Sequence, residues 1–350
     1  MRRRWLRIDA PEDYWLPRDV CSYGYFLLAP NRWDPEARTL TRPLDLGGSV
    51  ATLRLGQERR GGPVLADAGS ALSLKALAEA ERQIVRMLRL DDDAVGEFHR
   101  VDPRWAPRRK PGAPAAAHAH SRGRGRLFRS PSFFEDLIKT VTSCNVAWPS
   151  TVTMNRRLCE VFGPAFPSAA RLARARPSTL RARCRVGYRD RRIVALARLV
   201  SSGEVDPGWF EDPSRGDEEV FERLLSLPGL GPYSAGNVMQ LLGRYSRLAL
   251  DTESIRHGKE VLGLRGTDRA ILKRIAGHYE PFGDHRFRSY WFEIWEWYEG
   301  RKGPAWTWHP DRVGSSFTAA QYRRDARAAR EQPPGVRSRQ GRRPAARAAG

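Results

Sequence analysis

Leu227-Pro228-Gly229-Leu230-Gly231-Pro232-Tyr233-Ser234-Ala235 carries the reading of this chain. It lies between two helical patterns, residues 218–227 and 234–243. Pro228 has no backbone N–H and ends the first helix. Gly229 and Gly231 permit positive φ and leave no side chain in the way of a close approach. The N–H groups of such a turn, with those opening the second helix, form an anion site suited to a DNA phosphate. Leu227, Gly229, Leu230, Gly231, Tyr233 and Ser234 are therefore the expected DNA-binding residues of the hairpin. A grip of this kind holds backbone without reading sequence.

The helix-hairpin-helix serves several kinds of DNA enzyme and does not by itself name a reaction. The next motif does more. In Leu248-Ala249-Leu250-Asp251-Thr252-Glu253-Ser254-Ile255-Arg256-His257 an apolar run ends at a carboxylate that opens a helix. Asp is a common helix N-cap, and capping alone accounts for its presence.

In order and spacing, the hairpin, its second helix, the following loop and the apolar-Asp-Thr segment resemble the helix-hairpin-helix–Gly/Pro–Asp superfamily of DNA glycosylases. The resemblance makes Asp251 the expected catalytic residue. It extends upstream to Phe134–Gly163, centred on Thr142-Ser143-Cys144-Asn145, and to Gly187-Tyr188-Arg189. There the 8-oxoguanine and 3-methyladenine branches are similar. The resemblance implies that Asn145 fills the gap left by the flipped base, that Tyr188 wedges the stack and that Arg189 contacts the orphaned partner base. It covers roughly residues 130–300.

Departures from the superfamily narrow the expectation. Bifunctional members place a Lys two residues after the second hairpin Gly, where its amine attacks the sugar. Here that residue is Tyr233, whose phenol cannot form an imine, and the nearest lysines in sequence are Lys139 and Lys259. A monofunctional glycosylase is expected, with water as nucleophile and Asp251 stabilising positive charge on the sugar. The helix start favours the anionic carboxylate. The 8-oxoguanine enzymes carry His two residues after the Asp, whereas this chain has Glu253, with His257 further on. A four-cysteine cluster loop is missing. These features point to an alkylated purine such as 3-methyladenine. An 8-oxoguanine- or mismatch-directed glycosylase is the alternative, and a non-catalytic DNA-binding module on the same fold is the alternative from another class. Flipped bases are held by stacking and edge hydrogen bonds, so Trp148, Tyr233, Tyr290, Trp291 and Trp295 are expected at the base pocket, though helical spacing suits the last three to a core as well.

The rest of the 350-residue chain fits this frame. Residues 1–101 read as a small antiparallel sheet with at least one helix. Tyr23–Leu28 and Val50–Leu55 are candidate strands, and Leu74, Leu77, Ile84, Val85 and Leu88 form one helix face behind Ser73 as N-cap. Residues 102–128, rich in Pro, Arg, Ala, Gly and His, read as a flexible linker in which His118 and His120 are polar filler rather than metal ligands. Residues 129–309 form the all-α glycosylase domain, and 310–350 a disordered basic tail. The fold class is α+β, mostly α.

A formal net charge of +21 favours polyanionic partners, double-stranded DNA first. Part of that excess is attributable to the arginine content of a GC-rich genome. Cys21, Cys144, Cys159 and Cys184 form no Cys-x-x-Cys pair, so neither a zinc ribbon nor an iron–sulfur cluster is expected, and no cofactor or metal held by side chains is called for. No stretch has the length of a signal peptide's apolar region or a membrane span. A cytoplasmic, nucleoid-associated monomer is expected.

Overall fold

The computed structural model describes residues 3–107 and 118–309. The expected basic tail at 310–350 lies outside them. The N-terminal part is one five-stranded antiparallel sheet of order β1-β5-β4-β3-β2, built from β1 (Arg3–Ile8), β2 (Arg32–Asp34), β3 (Thr39–Asp45), β4 (Val50–Gly56) and β5 (Val64–Leu72). Strict alternation sets its buried face. Ala51, Leu53 and Leu55 of β4 point inward with Leu40 and Leu44 of β3, as a period of two requires. Arg42 shares that inward face and ion-pairs with Glu135 at 2.5 Å.

The helices are α1 (Leu16–Val20), α2 (Leu74–Leu88), α3 (Val95–Val101), α4 (Phe133–Ser143), α5 (Trp148–Phe162), α6 (Ala169–Ala173) and α7 (Pro177–Thr179), the last running on as a π-turn to Cys184. Then come α8 (Asp190–Ser202), α9 (Pro207–Glu211), α10 (Asp217–Leu225), α11 (Pro232–Leu242), α12 (Thr252–Glu260), α13 (Asp268–Tyr279) and α14 (Arg286–Lys302). Ser73 caps α2 by accepting from the Ala76 N–H at 3.2 Å, as its position suggests. Leu77, Ile84 and Leu88 are buried beneath α2, whereas Leu74 at its first position is exposed.

Two sequence expectations fail here. Tyr23–Leu28 is no strand. Phe26 N–H bonds back to the Tyr23 carbonyl and Leu28 N–H to that of Tyr25, so the run closes into a tight 3₁₀ turn over Gly24–Leu27. A short apolar run between turn residues has no period to separate the two forms. The linker reading of 102–128 does not hold over 124–128, while residues 108–117 of that segment lie outside the described residues. Residues 124–130 are all buried, although four of the seven are Arg or Ser. Arginine heads are satisfied there by fixed partners: Arg126 pairs with Asp13 at 2.7 Å, and Arg129 donates to the carbonyls of Arg86 and Leu241 at 2.8 and 2.9 Å. Buried charges persist when paired in this way. His120 reaches Glu299 at 3.2 Å.

The division at residue 128 is likewise not where the cores divide. One core joins the sheet and α2 to α13, α14 and the segment ending at Trp308; the other joins α4, α5, α8, α10 and α11. The C-terminal helix is tied to the N-terminal turn by indole donors, Trp291 to the Ser22 carbonyl at 2.8 Å and Trp295 to that of Cys21 at 3.0 Å. Among the described residues no helix is long and apolar enough to cross a membrane.

Candidate active site

Asp251 is the N-cap of α12, and its two oxygens have different tasks. Oδ1 accepts from the backbone N–H groups of Glu253 and Ser254 at 2.9 and 3.1 Å. Ser254 answers by accepting from the Asp251 N–H at 2.8 Å, which closes a capping box. Oδ2 accepts from the Tyr233 hydroxyl at 2.9 Å. Capping thus fixes the carboxylate, and the second oxygen faces across to the hairpin helix α11. The Ser254 hydroxyl also meets the Tyr290 hydroxyl at 2.5 Å, which ties the cap to α14.

Asp251 stands between two cavities. The first, of about 410 Å³, lies where the two cores meet and is walled by Tyr23, Trp148, Tyr290 and Trp291. The second, of about 730 Å³, is an open groove between the hairpin and the loops at Asn145 and Tyr188. Tyr233, Asp251 and Thr252 line both. The carboxylate therefore sits where an aromatic slot opens into a groove.

The five expected base-pocket residues, Trp148, Tyr233, Tyr290, Trp291 and Trp295, all line the aromatic cavity. Trp291 stacks on Phe287 and packs against Tyr23, with ring centroids 6.0 and 4.8 Å apart. Trp295 is buried in the core behind Trp291 and reaches the cavity only as part of its wall. Burial holds the Tyr290 phenol well above its ordinary pKa. Burial and then the Asp251 charge do the same for Tyr233, so its proton stays on the hydroxyl that donates to Asp251.

The structure gathers every expected DNA-binding residue except Leu227 around the groove, with unequal access. Gly229 is exposed at φ +84°, the left-handed conformation that glycine accepts at low cost. Gly231 is different: it is extended, at φ −113°, and its N–H is taken by the Ser234 hydroxyl at 2.8 Å. Ser234 is buried by that capping role, and Leu227 and Leu230 are buried in the core. They shape the turn from within. Asn145 is exposed at φ +53°, which Asn tolerates better than most residues. Tyr188 is 53% exposed.

Arg189 borders the groove but is turned inward. It is buried, and its guanidinium donates to the Val141 carbonyl at 3.1 Å and to that of Cys144. It therefore braces the loop that presents Asn145. The exposed guanidinium at the groove belongs to Arg192, one helical turn on, whose charge lies 5.1 Å from the Tyr188 ring. Two arginines three residues apart give a sequence no sign of which one turns inward.

Sequence reasoning also missed Tyr23, Gly24 and Tyr25 in the aromatic wall, because their run was assigned to a strand. Glu253, noted only as a departure, lines the same cavity and is paired with Arg256. Burial raises its carboxyl above the usual range, with Arg256 opposing. His257 is buried away from the site and bonded to the Tyr279 hydroxyl at 2.8 Å; burial lowers it to about 3, so it is neutral. His120, Glu296 and Glu299 offer ligand atoms within 4.8 Å of one another. Those carboxylates are already engaged, Glu299 by Arg124 and Glu296 by Ser121 and the His118 N–H, and an arginine inside the cluster competes with any cation.

No protein-family profile matches the chain, and no curated protein matches it in sequence. Solved structures do match it. The 8-oxoguanine glycosylase/lyase of Clostridium acetobutylicum in its apo form superposes with a TM-score of 0.61 at 16% identity, over 85% of this chain and 98% of that one. The 3-methyladenine DNA glycosylase of Archaeoglobus fulgidus gives 0.60 at 15% identity, over 85% and 99%. MBOgg1 in complex with a low-affinity DNA ligand gives 0.58 at 17% identity, over 86% and 97%. The chain shares the fold of these solved DNA glycosylases.

Proposed function

We propose that this protein is a monofunctional DNA glycosylase that removes an alkylated purine from duplex DNA, acting as a monomer. The observation that carries this reading is the place of Asp251, a fixed carboxylate where an aromatic cavity meets a groove formed by a helix-hairpin-helix. The fold shared with the two kinds of DNA glycosylase supports it.

The damaged base enters the aromatic cavity while its sugar remains at the mouth, beside Asp251. The C–N glycosidic bond breaks and its electron pair leaves with the base. An alkylated purine that carries positive charge departs neutral and needs little protonation. Asp251 stabilises the cationic sugar, water adds to the anomeric carbon, and the water's proton passes to the carboxylate or to solvent. Tyr233 holds Oδ2 in place throughout. Aromatic walls and the carboxyl groups of Asp251 and Glu253 favour an electron-poor base.

Among the described residues no lysine lines either cavity. Lys139 is fully buried against Glu135 at 2.7 Å. This supports water rather than an amine as nucleophile.

The test uses duplexes carrying an alkylated purine, 8-oxoguanine, uracil, hypoxanthine or an adenine·8-oxoguanine mismatch. Breaks at the alkylated purine that appear only after hot alkali, and that fall at least ~100-fold in Asp251→Asn, are expected. Breaks without alkali, with borohydride trapping, would overturn the monofunctional reading. Absence of excision on every lesion, with duplex binding intact, would leave a DNA-binding module.

A further inference from the structure

Charge is sharply segregated in the helical half of the chain. Residues 156–198 hold twelve arginines against two carboxylates, whereas residues 204–222 hold eight carboxylates against one arginine. A general bias towards arginine would not produce that reversal.

The two carboxylates of the basic stretch are spent locally. Glu160 pairs with Arg156 at 2.8 Å, and buried Asp190 with Arg181 at 2.9 Å. Among the described residues no carboxylate lies within ion-pair distance of Arg174, Arg176, Arg183, Arg185, Arg191 or Arg192, all of which are exposed. So many unpaired guanidinium groups on one segment repel one another unless an anion screens them.

The fold brings part of this basic stretch to the groove. Arg181 and Arg191 flank a depression of about 550 Å³ above Asp190. The next residue, Arg192, lines the groove itself. Arg157 donates to the Arg183 carbonyl at 3.2 Å, which ties α5 to the π-turn, and Arg198 donates to the Ala173 carbonyl at 3.4 Å, which ties α8 to α6.

We infer that the arginine surface of α5–α8 is a second, sequence-independent site for the DNA phosphate backbone, continuous with the groove at Arg192. It rests on the reading that the groove receives duplex DNA. The surface extends the footprint over α5–α8, and the acidic stretch at 204–222 repels the duplex from its own surface. Guanidinium groups suit this task because their planar fork matches phosphate oxygens in pairs. Each phosphate neutralised releases counterions, so the site contributes directly to the salt dependence of binding.

The experiment measures affinity for an undamaged duplex by fluorescence anisotropy between about 50 and 200 mM salt. The variant R174Q/R176Q/R183Q should lower the slope of log affinity against log salt by roughly 2 to 3, at about 0.9 for each phosphate no longer neutralised. R174K/R176K/R183K should keep most of the slope. R32Q/R38Q/R54Q, which removes the same charge from the N-terminal sheet region, should leave it unchanged. An unchanged slope in the first variant, or an equal fall in the sheet variant, would overturn the proposal. Because the probe carries no lesion, a failure of the excision panel with these slopes as expected would count against the glycosylase reading alone.

Discussion

The Tyr233 hydroxyl donates to Asp251 Oδ2 at 2.9 Å, across the seam between the hairpin helix α11 and the capped helix α12. Tyr233 is thus a positioning group for the carboxylate. Tyr233→Phe removes one hydrogen bond to a charged acceptor, worth about 1.5–3 kcal/mol. Single-turnover excision should fall by roughly 10- to 100-fold while affinity for an abasic-site duplex holds. Because burial and Asp251 raise the Tyr233 pKa, the donor persists into alkaline pH, and the alkaline limb of the rate profile should be the same in wild type and variant. An alkaline limb that vanished in the variant would show that Tyr233 titrates in the working range.

Tyr233→Lys tests the same relationship from the other side. It would place an amine beside Asp251 at the mouth of the aromatic cavity. The variant should give a protein–DNA adduct on borohydride treatment and some strand breaks without alkali, and the wild type neither. A variant that folds and binds duplex but never traps would mean that the sugar does not sit where the site geometry puts it.

Buried Arg189 is bonded to the loop that presents Asn145, whereas Arg192 is exposed at the groove. Arg189→Ala leaves the carbonyls of Val141 and Cys144 without their donor. A loss of about 2–4 kcal/mol is expected, read as a lower Tm and faster hydrogen exchange at residues 143–146. Arg192→Ala should leave Tm almost unchanged and weaken duplex binding instead. Equal Tm losses in the two variants would erase the distinction.

The hairpin and Asp251 were legible because their signals are local: proline and glycine punctuation, and a carboxylate at the first turn of a helix. The aromatic slot was half legible. Trp148, Tyr290 and Trp291 stood out as aromatics, but Tyr23 and Gly24 were hidden in a run whose length suits a strand and a turn alike. Residues 124–128 do not read as buried from sequence because their burial depends on arginines whose partners, Glu299 for Arg124 and Asp13 for Arg126, are distant in sequence. Hydrophobicity says nothing of such pairs. The shared core of the sheet and α14 was invisible for the same reason, since Trp291 and Trp295 find their carbonyls some 270 residues away.

Glu296 gives a pH prediction of definite sign. Burial raises its carboxyl to about 7, Glu299 adds to the rise and Arg124 opposes it. A carboxyl with a raised pKa favours folding in its protonated form. That contribution is full below the unfolded value of about 4.5 and is lost as pH rises through 7, up to about 3 kcal/mol in all. Glu296→Gln keeps one oxygen to accept from the His118 N–H, turns its amide towards the Ser121 hydroxyl as a donor, and has no proton to lose. Its Tm should match wild type near pH 5 and exceed it near pH 8. Parallel Tm curves from pH 5 to 8 would refute the assignment.

Gly24 sets the width of the aromatic slot. Its backbone lies outside the left-handed region, so glycine is not required there by conformation. Space requires it: a Cβ at this position would stand 3.0 Å from Trp148 Cη2 and 3.2 Å from Cζ2. Gly24→Ala must therefore push the Trp148 ring, and the half-buried ring has the cavity beside it as room to move. Excision of a purine lesion should slow about 10-fold, equivalent to about 1.4 kcal/mol. Binding to an abasic-site duplex, which puts no base between the rings, should be unchanged. If excision and abasic-site binding fall together, the substitution has disturbed the turn rather than the slot, and Gly24 has no part in fitting the base.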